Sequence, residues 1–176
     1  RYLLANMARH GGADLRAATQ LREYTVSRPV DDIVADLLQA LPPALSTDGP
    51  ATAARVTPGA PGTAPVVGFG VYIWNVVPTT EVVRRLKVAR PDVRVVLGGP
   101  EVSHEWEGQP IVALADYLIT GWGDVSFARL CRALVHGPRP LMKVITGEQP
   151  PLDQLDLPYA EFSDADLAHR LLYVEA

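Results

Sequence analysis

A chain of 176 residues has the length of one domain with its own hydrophobic core, and 48% apolar against 20% charged residues exclude disorder throughout. Sixteen lysines and arginines against twenty acids leave a net charge of -4 with no basic block, so there is no electrostatic footprint for nucleic acid or an anionic membrane. The single Cys131 excludes an internal disulfide framework or a thiolate-held metal cluster, apolar runs fall far short of the roughly 20 residues that span a bilayer, and Arg1 opens no signal peptide, so a cytoplasmic setting is expected.

Tyr2, Leu3, Leu4, Met7 and Ala8 fall at helical spacing, and with Arg1 in place of an initiator Met they predict that the natural protein begins earlier. Residues 21–26 read as a short strand rich in branched and aromatic side chains. Ser27 and Pro29 then open a helix with Asp31 and Asp32 in its first turn and Ile33, Val34, Leu37, Leu38 and Leu41 as its buried stripe. Residues 42–65 break the pattern: 20 of these 24 are Pro, Gly, Ala, Ser or Thr, a composition that cannot offset its ordering entropy and predicts a flexible surface insertion.

Residues 66–73 form a nearly continuous apolar run, the signature of a strand covered on both faces. Thr79 or Thr80 is expected to cap a helix with Val82, Val83 and Leu86 inward, closed by Pro91. A strand at 93–97, a short helix near 111–114, a strand at 117–120 and a helix from about Val125 to His136 follow, with 143–145 as an edge strand. Strands alternating with helices at this spacing predict βαβ units, a mostly parallel sheet and a doubly wound α/β fold over residues 1–147. Residues 148–176 return to linker composition, with Tyr173 and Val174 starting another strand and a second domain expected beyond them.

In such a sheet ligands bind outside the carboxyl ends of the strands, so the residues just after each strand matter most. Three of these loops stand out. The first holds Tyr72, Trp74 and Asn75; the second runs Gly98, Gly99, Pro100, Glu101, Val102, Ser103; the third holds Gly121, Gly123 and Asp124 around Trp122. Paired glycines remove side chains at the sheet edge and let a broad ligand approach the backbone, although a plain tight turn explains Gly98 and Gly99 equally well. Tyr72 and Trp74 alternate with Ile73 and so share one side, as core packing or as a ligand-facing wall.

The other polar and reactive residues point to no chemistry of their own. Ser126 stands where a dinucleotide fingerprint needs its third glycine, which argues against NAD. Cys131 lies on the stripe of Phe127, Leu130 and Leu134 and reads as a buried structural thiol. His10, His136 and His169 read as solvated, and His104 lies in the loop beyond the glycine pair. No Ser/His/Asp spacing, P-loop or HExxH occurs, so no catalytic residue is assigned.

The segments GFGVYIWN, VRVVLGGPEVSHE and DYLITGWGD, each at the end of an expected strand, resemble the N-terminal cobalamin-binding domain of cobalamin-dependent radical SAM proteins. The likeness is to the subgroup with a YIWN strand and a GGPEVS loop. It extends from about Arg1 through PPLDQLDLPY to RLLYVEA, which in that family leads directly into the Ser-Arg-Gly-Cys start of a CxxxCxxC iron–sulfur motif. The resemblance implies a Rossmann- or flavodoxin-like sheet whose first strand precedes Arg1. It also implies cobalamin across the strand ends, against the three loops just named.

In the full-length protein it implies a radical SAM domain in cis with a four-iron four-sulfur cluster and S-adenosylmethionine, and methylcobalamin as a methyl donor if the enzyme is a methyltransferase. Family members carry GEGE after the last strand, where this chain has Gly121, Trp122, Gly123 and Asp124, leaving only Asp124 as a comparable acid. The 42–65 insertion is longer than the family's connection, but it lies on a helix-to-strand loop, away from the ligand mouth. A non-catalytic flavodoxin-like binding or regulatory module that has lost the cofactor is the alternative; a receiver domain is disfavoured by the lack of an acidic cluster after the strands.

Overall fold

A computed structural model describes residues 1–44 and 64–169. In chain order the elements are helices α1 (Tyr2–Gly11), α2 (Ala13–Ala18) and α3 (Val30–Ala40), strand β1 (Val66–Gly70), α4 (Val76–Ala89), β2 (Arg94–Gly98), α5 (Pro110–Leu114), β3 (Tyr117–Thr120), α6 (Asp124–His136), β4 (Val144–Thr146) and α7 (Asp164–His169). The four strands form one all-parallel sheet in the order β1-β2-β3-β4, with Gly70 paired to Gly98, Leu97 to Leu118 and Thr120 to Thr146. The doubly wound α/β reading is therefore correct for the described part of the chain.

Period-two alternation divides the side chains between two apolar layers. Val95, Leu97 and Leu118 pack with Leu37 of α3 and with Val82, Val83 and Leu86 of α4, with Val67 and Phe69 against them. Val96 and Ile119 turn the other way onto Leu130 and Leu134 of α6, while Met7 of α1 packs with Ala128 and Cys131 beside them. Val95, Val96 and Leu97 are all buried because β2 is an interior strand with helices on both faces. Each such side chain contributes about 1.5–3 kcal/mol by leaving water.

Several expectations need correction. The apolar run at 66–73 is a strand only to Gly70, and β1 is an end strand of the sheet, with Gly68 and Gly70 exposed rather than covered on both faces. Residues 21–26 form no strand: Leu21 is 40% and Val26 71% exposed, because among the described residues no strand lies beside them to supply a ladder. Helix α4 begins at Val76, behind Asn75, so neither Thr79 nor Thr80 caps it; the Thr80 hydroxyl donates back to the Val76 carbonyl at 2.6 Å. The edge strand near 143–145 is β4, and the stripe of α3 packs as expected. The insertion reading concerns residues that lie, for 45–63, outside the described ones, as does the strand expected at Tyr173 and Val174.

No described helix is long and apolar enough to cross a membrane. Residues 150–169, read as linker, pack back onto α1. Asn6, wholly buried, donates to the Asp156 carbonyl at 3.0 Å and accepts from the Asp156 N–H at 2.9 Å. Arg16 forms an ion pair with Glu161 at 2.9 Å, and Arg1 with Asp166 at 2.8 Å.

Candidate functional site

The three loops meet along the carboxyl edge because each leaves its strand there. Their own polar groups then tie them together. After β1 the Val71 N–H donates to the Gly98 carbonyl at 2.7 Å, and the Val71 carbonyl accepts from the Glu101 N–H at 3.3 Å, joining the first loop to the second. Ser103 joins the second to the third: its hydroxyl donates to the Gly99 carbonyl at 2.8 Å and accepts from the Gly121 N–H at 3.0 Å. Past β4 the Gly147 N–H donates to the Thr120 carbonyl at 2.7 Å, so the rim is continuous across the sheet.

The two glycines of the pair have different jobs. Gly99 has φ +111, and a Cβ there would lie 2.5 Å from the Val71 carbonyl oxygen and 2.8 Å from its nitrogen. Only glycine fits that crossing, whatever binds above it. Substitution at Gly99 therefore reports on the backbone rather than on a ligand. A Cβ on Gly98 would meet only the Ile119 carbonyl, at an ordinary 3.7 Å. Gly121, at φ +71, has nothing within 4 Å of its Cβ position, so its requirement is the left-handed turn and the space beside it is open.

Tyr72 and Trp74 are not alternate residues of a strand; they flank the turn between β1 and α4 and stack on each other, ring centroids 4.7 Å apart and 12° from parallel. Trp74 remains 63% exposed, so the pair is a surface platform and not core. Asn75 does not reach outward: its Oδ1 accepts from the Tyr72 N–H at 2.8 Å and its Nδ2 donates to the Gly70 carbonyl at 3.0 Å, which fixes the turn that carries the platform. Val102 is fully buried in the core, a correction to its reading as a ligand contact, because the short 3-10 turn Pro100–Val102 points it inward.

A cavity of about 750 Å³ opens at this rim and is lined by Tyr72, Trp74, Asn75, Gly98, Gly99, Gly121 and Gly123. Pro100, Glu101, Ser103 and Asp124 do not line it. The sequence reading undervalued Trp122, which is 47% exposed in the third loop, and passed over Gly147, whose Cβ position lies 2.0 Å from the Trp122 carbonyl oxygen. A tryptophan where a related pattern has an acid was the available signal for the first.

Burial pushes the Cys131 thiol up to about 12, so it stays protonated and unreactive. His104 is exposed, and His10 shares a hydrogen bond of 2.9 Å with the Gln154 carbonyl instead of facing only water. Among the described residues no group of three or more His, Cys, Asp or Glu could hold a metal ion.

No family model and no curated protein matches the chain. A solved structure of similar shape is the N-terminal domain of the hypothetical protein TM0182 of Thermotoga maritima, 17% identical, covering 73% of this chain and 94% of that one at a TM-score of 0.38. A likeness that weak adds nothing to the fold already described.

Proposed function

We propose that the chain is a cobalamin-binding module that receives the cofactor over the carboxyl ends of β1, β2 and β3. The observation that carries the reading is the convergence of all three resemblance-bearing loops on one hydrogen-bonded rim, beside the exposed Tyr72–Trp74 platform. The residues suit a broad flat ligand: the Gly98 and Gly121 positions leave room at the rim, and the stacked rings offer an apolar face. Cobalamin, when bound, supplies cobalt–carbon chemistry. The chain's own part is placement: Ser103 and Asn75 hold the loops, the glycines admit the ligand to the backbone, and Trp74 shields it from water.

A radical SAM domain in cis, with its cluster and S-adenosylmethionine, belongs to the same reading, as do a cytoplasmic setting and, for a methyltransferase, a methyl group carried on cobalamin. Titration with hydroxocobalamin followed by visible absorbance tests it. Trp74→Ala removes an exposed ring without disturbing the core and is expected to weaken binding about tenfold, the equivalent of about 1.4 kcal/mol of lost aromatic contact. Cys131→Ala leaves binding unchanged. If the folded parent does not change the spectrum, a module that has lost the cofactor becomes the better reading.

A further inference from the structure

The cavity at the rim faces charge of one sign. The chain as a whole is acidic, with a net charge of -4. Yet Arg1, Arg22 and Arg28 line the cavity, and among the described residues no Asp, Glu, Lys or His does. The rest of its wall is mostly apolar side chain and backbone, which does little to screen the guanidiniums. Such a space favours a ligand that carries negative charge.

The three arginines are not equivalent. Arg1 is already engaged, its guanidinium donating to Glu23 at 2.7 Å and to Asp166 at 2.8 Å. Arg22 is held loosely, 3.5 Å from an Asp36 oxygen and 3.3 Å from the Gln20 side-chain carbonyl, at the long limit of a hydrogen bond. Arg28 has no carboxylate partner among the described residues; its guanidinium lies over the Tyr24 ring, 5.6 Å from the centroid. A cation–π contact uses the charge of a guanidinium and leaves most of its N–H donors for a ligand.

Tyr24 joins the two loosely held cations. Its hydroxyl donates to Asp36 at 2.6 Å, and burial together with that bond raises its pKa to about 12. Arg22 and Arg28 both act against the rise, which puts both guanidiniums near one phenol. The group thus sets two guanidiniums against the single carboxylate of Asp36. Its place in the fold matters as well. Arg90, just past the end of α4 at the amino edge, donates to the Pro42 carbonyl at 2.8 Å, so α3 also ends there and begins at the carboxyl edge. Arg28, two residues ahead of α3, stands at the same edge as the Tyr72–Trp74 platform and lines the same cavity.

We propose that Arg28 and Arg22 form an anion subsite of this cavity that takes the phosphate of a phosphate ester. Two guanidinium forks need acceptors that point in different directions, which the tetrahedral oxygens of phosphate supply and the coplanar pair of a carboxylate does not. The nucleotide tail of cobalamin, joined through a phosphodiester, and a free nucleotide share this chemistry. The first source rests on the cobalamin reading; the second does not.

The test compares ligands with and without phosphate on the 176-residue chain. Hydroxocobalamin is titrated against cobinamide, which keeps the corrin and lacks the nucleotide tail, by visible absorbance. AMP is titrated against adenosine, each to about 5 mM, by NMR of the arginine side-chain N–H groups. The variants are Arg28→Gln and, as a control for lost charge, Arg139→Gln, an exposed arginine outside the cavity. In one pair or both, the phosphate-bearing member is expected to bind about tenfold tighter than its counterpart, and Arg28→Gln to remove that advantage without changing the counterpart's affinity. Arg139→Gln keeps the advantage. An advantage confined to hydroxocobalamin makes the tail the source, and one confined to AMP a free nucleotide. The proposal is overturned if phosphate gives no advantage in either pair, or if Arg28→Gln, shown folded by its amide spectrum, leaves the advantage in place. An equal loss in Arg139→Gln overturns it too, since overall charge then suffices. Failure of both corrinoids to bind defeats the cobalamin reading alone, and the AMP pair then decides for or against the subsite.

Discussion

At the residue scale Asp116 ties three elements together. It sits just before β3 and accepts from the Val95 N–H at 2.8 Å, from Lys87 at 2.9 Å and from Arg94 at 3.1 Å, joining α4, β2 and β3 at the amino edge. Burial pushes its pKa up, but the Val95 N–H and the two cations together outweigh that and leave it below the usual carboxylate value. A carboxyl whose folded pKa is depressed stabilises the protein above its unfolded pKa, near 4, and the contribution is lost as pH falls through the folded value. Denaturant midpoints measured against pH should therefore drop below about pH 4 in the parent, with the Asp116 share of that drop missing in Asp116→Asn. At pH 7 Asp116→Ala should cost about 2 kcal/mol, since it strands a half-buried N–H and two cations. The neighbouring glycine pair shows what a single sequence conceals at this scale. Gly98 and Gly99 read alike in a string of letters, yet one leaves ordinary van der Waals room and the other is demanded by the Val71 backbone, a partner 28 residues earlier in the chain. The bonds of Asn75 and the inward turn of Val102 are not legible in the letters for the same reason: the direction of a side chain in a short turn depends on which backbone groups the turn leaves open.

At the element scale, legibility followed burial and local periodicity. Helices α3 and α6 and the interior strands β2 and β3 were readable because their apolar patterns each match one period. Residues 21–26 carry as strong a strand composition, but a strand is defined by its neighbour, and composition cannot say whether a neighbour is there. The close crossing of α1 and α6 was also unreadable, though it turns on one residue. Gly11 is buried, and a Cβ there would meet the Met7 sulfur at 3.1 Å, Leu15 at 3.2 Å and the Ala128 carbonyl at 3.3 Å. Two of these are side chains that can give slightly; the third is backbone. Gly11→Ala should be tolerated within about 1 kcal/mol, because gained helix propensity offsets the crowding, whereas Gly11→Val should destabilise by about 1–3 kcal/mol through overpacking. Thermal unfolding of the two variants separates these outcomes, and equal losses for both would mean that the helices move apart freely.

At the scale of the whole molecule, the last described residues are held to the first. Arg1 donates to Glu161 and Asp166, Arg9 to the Asp153 carbonyl at 2.9 Å, and Asn6 clasps the Asp156 backbone from a fully buried position. Burying the Arg1–Asp166 pair, whose side chains are 13% and 12% exposed, costs desolvation that offsets much of its attraction, so the buried amide pairing should dominate the attachment. Asn6 is a polar residue on the helix stripe that includes Met7; beyond one bond back to the Tyr2 carbonyl, its partners lie 150 residues away. That dependence can be measured as a coupling. Asn6→Ala in the 176-residue chain leaves the Asp156 N–H and carbonyl without their partner and should cost about 1–3 kcal/mol. In a chain ending at residue 149 the same substitution has no such partner to abandon and should cost a few tenths of a kcal/mol at most, the remaining bond from Asn6 to the Tyr2 carbonyl being local to α1. Circular dichroism would first establish that the shorter chain keeps its helices, after which denaturant unfolding of all four proteins gives the cycle. Additive losses would mean that residues 150–169 rest on α1 without being fastened to it. A coupling above about 1 kcal/mol would make them part of the folded unit, so that whatever follows them is delivered from a fixed point beside the carboxyl rim.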